Sequence, residues 1–123
     1  MKRFDIHTAA VAELVDRFAN VFVEQNNALF EHKISKFNGL YDQMAAIVEE
    51  LKSRSGDQRR ALLALHDHRD IQVRLQAARM TLAVAPQGSR RVIEAVAASK
   101  WQPQAGDAGM SLRGLDSGEY VPK

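Results

Sequence analysis

The chain has 123 residues, with 17 Lys/Arg against 15 Asp/Glu and a net charge of +2; this length suits one domain able to bury about two-thirds of its unfolded surface. It has no cysteine, which excludes disulfides, thiolate metal sites and a cysteine nucleophile. Lys2 and Arg3 are followed by Phe4 and Asp5 rather than by an apolar leader, and no stretch approaches the roughly 18 apolar residues of a membrane span. A cytoplasmic protein with no membrane partner is expected.

The near-balance of charge conceals an asymmetry. Residues 1–51 carry five Lys/Arg against eight Asp/Glu, residues 52–101 ten against four, and residues 102–123 two against three. A basic middle of this kind attracts acidic proteins or a phosphate backbone.

In chain order, Thr8 is placed to cap a helix running to about Glu31. Val11, Leu14, Val15, Phe18, Phe22 and Leu29 centre its apolar side, with Ala12, Ala19, Val23 and Phe30 flanking. A second helix follows from about Ile34 to Ser53, with Ile34, Phe37, Leu40, Tyr41, Met44, Val48 and Leu51 at spacings of three and four. A short connection around His32 and Lys33 makes the two an antiparallel hairpin; the alternative is one continuous helix, since neither Gly nor Pro interrupts there. Ser53 to Gly56 punctuates the chain, and Asp57 opens a helix pair reaching Ala85. In its second helix, Val73, Ala77, Met80 and Val84 form one apolar stripe while Ile71, Leu75, Ala78 and Leu82 form another roughly opposite, the pattern of a central helix covered on two sides. Pro86, Gln87 and Gly88 read as a break. A fifth helix then carries Val92, Ile93, Val96 and Ala97. After Trp101 and Pro103, Asp107 is placed to cap a short final helix ending near Gly118, weakened by Gly109 and Gly114; the tail from Glu119 reads as loose.

Leu62, Leu63, Leu65, Asp70, Val73, Arg74, Ala77, Ala78 and Leu82 resemble a HEAT or armadillo-type helical repeat, following its Asp, Val-Arg, Ala-Ala and Leu positions in register. From the ELVDRF segment, Glu13 to Phe18, to QAGDAGMSL, Gln104 to Leu112, the chain is also similar to a family of small bacterial helical proteins known only as a domain of unknown function. The HEAT resemblance implies that Asp70 and Arg74 brace the inter-helix turn. Only one repeat is visible, whereas a solenoid needs about three. The expected fold is therefore a single all-α domain over residues 1–123: a long hairpin (1–53) packed on a HEAT-like, α-α-superhelix unit (54–100) with a capping segment (101–123).

Candidate chemistry is sparse. His66, Asp67, His68, Arg69 and Asp70 are the densest polar cluster, and a metal-dependent enzyme at His66 and His68 is one reading. Helical ligands usually stand three or four apart, so a polar turn with Asp70 capping the next helix is preferred, with no metal or other cofactor. His68-Arg69-Asp70 spells the kinase triplet without the Asn five residues on, and Gly88 to Arg91 lacks the Gly-Lys-Ser/Thr of a phosphate loop. Arg54, Arg59, Arg60, Arg69, Arg74, Arg79, Arg90 and Arg91 offer bidentate phosphate donors, but aromatic residues are not interleaved among them. Trp101 reads first as a plug at the end of the core and second as a contact hot spot.

With no catalytic set visible, the expected function is a non-enzymatic protein-interaction module of HEAT-like type, with an immunity or antitoxin-like or regulatory protein as a concrete version. Its interaction surface would draw on Arg59, Arg60, Arg69, Arg90, Arg91 and Trp101. A protein partner is expected, with self-association through the hairpin as one variant; nucleic-acid binding through the basic middle is the alternative.

Overall fold

The computed structural model describes the backbone of residues 4–30 and 34–123, and side chains for residues 4–24 and 38–123. All its regular elements are helical. They are α1 (Val11–Phe30), α2 (Ile34–Ser53), a 3₁₀ helix (Gln58–Asp67), α3 (Ile71–Met80), α4 (Pro86–Ala98) and α5 (Gln104–Ser117). Among the described residues, no helix is long and apolar enough to cross a membrane. Where one domain of three segments was expected, the chain gathers into two compact units, Met1–Ala61 and Leu62–Lys123.

In the first unit α1 and α2 pack against each other, which a single straight helix cannot do, so the pair is a hairpin. The expected connection at His32 and Lys33, and the expected burial of Leu29, Phe30, Ile34 and Phe37, lie outside the described residues. Leu14, Phe18, Ala19, Val21 and Phe22 of α1 are buried, as are Leu40, Met44, Ile47 and Leu51 of α2, at the three- and four-residue steps of a helix face. Phe18 and Phe22 stand edge to face with centroids 4.9 Å apart, a favoured aromatic geometry. Tyr41, expected in this core, is exposed, and Ile47 occupies the stripe instead.

Thr8 does not cap α1. Its backbone N–H bonds the Asp5 carbonyl at 3.2 Å, that of Ala9 the same carbonyl at 3.0 Å, and the Asp5 carboxylate accepts from the His7 N–H at 2.9 Å. The turn so formed delays the helix to Val11. Glu50 anchors this segment to the end of α2 by accepting from Arg54 Nε and pairing with His7 Nδ1, both at 2.7 Å, while Arg54 Nη2 donates to the Ile6 carbonyl at 3.2 Å. The Arg54 and then the His7 hydrogen bond hold the Glu50 carboxyl below its usual range.

Gly56 and Asp57 follow with φ of 81° and 50°, two successive positive values of which the glycine takes its own without strain. The helix beginning at Gln58 is 3₁₀, where an α-helix was expected. Its buried residues are Arg59, Leu62 and Leu65, spaced by the three residues per turn that make side chains of a 3₁₀ helix eclipse.

In the second unit Val73, Leu75, Gln76, Ala77 and Ala78 of α3 are buried, so residues of both its apolar stripes are covered, while Ile71 and Met80 at its ends are half-buried. Leu75, Ala78 and Leu82 join Ile93 and Val96 of α4 and Ala108 of α5 in one core, with Leu112 and Leu115 packed against it. α5 packs on both α4 and α3, so it builds the core rather than merely capping it. Pro86 opens α4 as its first residue instead of marking a break; there its missing N–H is one the helix leaves unpaired anyway. α5 begins at Gln104, before Asp107, with the Gly106 N–H held by Gln102 Oε1 at 3.2 Å. Asp107 lies in the first turn, where a carboxylate suits the helix dipole.

Gly39 lies exposed within α2, and a Cβ built there meets nothing within 4 Å. Gly39→Ala should raise stability by about 0.5–1 kcal/mol, the usual gain for removing a helix-interior glycine, as read from urea unfolding midpoints.

Candidate functional site

The polar cluster around His66 resolves into structure. Asp70 is the N-cap of α3, its carboxylate accepting from the N–H groups of Gln72 at 2.8 Å and Val73 at 3.3 Å. Arg74 Nη1 reaches back to the carbonyls of His68 at 2.8 Å and Arg69 at 3.2 Å, closing the turn from its far side. His68 Nδ1 accepts from the Asp70 N–H at 3.0 Å. His66 turns elsewhere, its Nε2 lying 3.0 Å from Thr81 Oγ1. The two imidazoles serve separate bonds, and among the described residues no three His, Asp or Glu stand together as metal ligands would.

Thr81 is the node of a buried polar chain. Its Oγ1 lies 2.8 Å from the Ala77 carbonyl, 2.7 Å from Ser89 Oγ and 3.0 Å from His66 Nε2, and both Thr81 and Ser89 are fully buried. A carbonyl only accepts, so the hydroxyl proton goes to Ala77, and both remaining lone pairs accept, from the Ser89 hydroxyl and from His66 Nε2–H. That assignment satisfies each atom of the chain and goes with the tautomer that carries the proton on Nε2. Burial holds His66 below its ordinary range, against a smaller opposing pull from Asp67. Sealed from solvent, Ser89 has no access to a substrate, so the chain braces α3, α4 and the 3₁₀ helix.

The arginines proposed as a surface are not alike. Arg59 is only 7% exposed; its Nε and Nη2 donate to the two Asp57 oxygens at 2.8 and 2.6 Å, a bidentate pair that keeps the Asp57 carboxyl below its usual range. It belongs to the fold and is not an open contact residue. Arg90 donates from Nη1 to Asp116 of α5 at 2.9 Å and from Nε to Glu94 at 3.4 Å, contacts that raise its already high pKa, Asp116 foremost. Arg60, Arg69 and Arg91 are exposed. Arg69 sits in the turn before α3 and Arg91 on the second turn of α4. Trp101 is 66% exposed and plugs nothing. Its backbone N–H accepts no core role either, donating to Ser99 Oγ at 3.1 Å in the connection between α4 and α5, next to the cis Gln102-Pro103 bond.

The open surface of the second unit lies along α5. A groove of about 320 Å³ is lined by Arg79, Leu82, Asp107, Met110, Ser111, Gly114 and Tyr120, and another of about 420 Å³ by Met110, Arg113, Gly114, Ser117 and Glu119. Met110 and Gly114 are common to both, and Met110 is 64% exposed. Gly118, left-handed at φ 79°, ends the helix, and the Tyr120 N–H then bonds the Gly114 carbonyl at 3.1 Å, laying the tyrosine over Gly114 with its Cβ 3.5 Å from where a side chain would start. The tail is therefore held at Tyr120, where the sequence reads as loose. The sequence offers no signal for this surface beyond an exposed methionine among small residues.

Residues 12–116 match a family described as a domain of unknown function, DUF2019. The chain belongs to the DUF2019 family. Its fold is similar to that of the protein RPA1889 from Rhodopseudomonas palustris CGA009, known from a crystal structure, at 54% identity and a TM-score of 0.94, with 98% of this chain and 100% of that chain covered. No curated protein matches.

Two outcomes are expected of this DUF2019 member. Thr81→Val deprives Ser89 and His66 of their shared acceptor and should cost about 1–3 kcal/mol, the penalty of buried groups left unpaired, in urea unfolding; Thr81→Ser, which keeps the hydroxyl, should cost less. Because burial lowers the His66 pKa, the unfolded chain takes up a proton near its ordinary pKa of about 6.5 that the folded chain refuses. Stability should therefore be full above that pH and fall as acidification passes from it toward the lower folded value. His66→Gln should flatten this part of a melting temperature against pH curve.

Proposed function

We propose that this protein is a non-enzymatic protein-interaction module of HEAT-like character, working through the exposed surface of its 62–123 unit. The observation that carries the reading is the set of large apolar side chains left in water there: Trp101, Met110, Tyr120 and Val121, each about half exposed or more, with Met110 and Tyr120 on the walls of one open groove. Clustered exposure of aromatic and methionine side chains is characteristic of the central parts of protein interfaces. The HEAT-like element of the proposal is supported by Asp70 capping α3 and Arg74 bracing the preceding turn. It is tempered by the 3₁₀ form of the first helix. A regulatory protein or an immunity-type protein that covers a partner's surface would be the concrete form.

Nucleic-acid binding is the second reading, favoured by the exposure of Arg60, Arg69 and Arg91. It carries less weight because Arg59 and Arg90 already hold carboxylates, leaving fewer cations for phosphate contacts. Affinity purification from the native host, with nuclease-treated and untreated halves, separates the two. A protein retained through nuclease and moderate salt, and lost from a Met110→Asp variant, is the expected result. Nucleic acid recovered at low salt, with proteins released by nuclease, would put the second reading first.

A further inference from the structure

We infer that the α5 face centred on Met110 pairs two copies of this chain. The inference rests on the interaction-module reading and narrows the partner to a second copy. Its first support is shape. Met110 is 64% exposed and lies on the walls of both α5 grooves, which share Gly114 as well. The face thus offers an exposed apolar side chain beside open hollows of about 320 and 420 Å³, so it carries both halves of a knob-and-hollow contact. Met is suited to such a site because its unbranched thioether adapts to the surface it meets.

The second support is charge. One groove has Arg79 and Asp107 on its walls, the other Arg113 and Glu119. A strongly basic or strongly acidic partner would meet as many like charges as opposite ones here. A second copy, turned about a two-fold axis, can set the cation lining each copy's groove against the carboxylate lining the other's, the self-complementarity that an isologous contact demands. Arg113 and Glu119 are both exposed and line the same groove, so each is open to the opposite charge on a second copy. Pairing then removes Met110 and Tyr120 from water together.

The test is sedimentation equilibrium of the full chain over a wide concentration range. The expected mass rises reversibly from the 13.7 kDa monomer toward the dimer. Met110→Asp should weaken association by about tenfold or more, the scale of a lost central contact, with an unchanged melting temperature at concentrations where the chain is monomeric, because the side chain is exposed there. Val23→Asp, on the exposed side of α1, should leave association intact. Arg113→Glu and Glu119→Arg should each weaken pairing alone, and an equimolar mixture of the two variants should restore it as a mixed dimer. A monomer at all concentrations would overturn the inference, as would undiminished association of Met110→Asp or a mixture that pairs no better than its components. A monomer that still captures another protein through Met110 would overturn self-pairing and leave the interaction-module reading standing; a monomer that captures none would remove both.

Discussion

The hydroxyl of Thr81 lies where the end of α3, the first turns of α4 and the 3₁₀ helix converge, and its hydrogen-bonding neighbours come from all three of them. A polar atom in such a place is costly unless its hydrogen-bonding capacity is filled. Here one donor and two acceptor positions are all used, so the junction tolerates only a narrow set of helix placements. The apolar core of the unit, from Leu75 and Ala78 to Ile93, Val96 and Ala108, supplies most of the driving force through burial. The hydroxyl chain adds direction, which apolar contact alone does not provide.

Much of this was legible in the residues. The two stripes of α3 could be counted because buried helices leave no polar face to blur the period, and Asp70 announced itself as a cap by type and position. Less legible was anything decided by a small energetic difference between similar local forms. Leu62 and Leu65 fit either an α or a 3₁₀ period, and only the burial of Arg59 alongside them separates the two. Pro86 fits a helix start, where its missing N–H costs nothing, as well as a helix end, since it cannot continue a helix. Tyr41 was expected in the core from its spacing and Trp101 from its size, but exposure depends on which neighbours fold over a side chain.

The candidate site was harder still. Sequence reasoning looked to the arginines, because charge is visible in a string of letters. Their pairing is not: Arg59 and Arg90 are engaged by Asp57 and Asp116, one two residues away and the other on a different helix. The α5 face is composed of small residues around Met110, a composition that reads as a weak helix. It becomes a surface only when the chain returns at Gly118 to set Tyr120 beside it. Family membership supports the whole-chain similarity and assigns no activity, so the surface chemistry of α5 carries the functional argument.

The ten-residue 3₁₀ helix is long for its kind, and its geometry explains its persistence. At about 100° per residue, an α-helical form would place Arg59 and Leu65 about 120° apart around the axis instead of in line. One of them would leave the buried row: either the Arg59–Asp57 pair would open or Leu65 would enter water. The buried row is thus set by the winding, and a residue added or deleted between Arg59 and Leu65 would take one of them out of it.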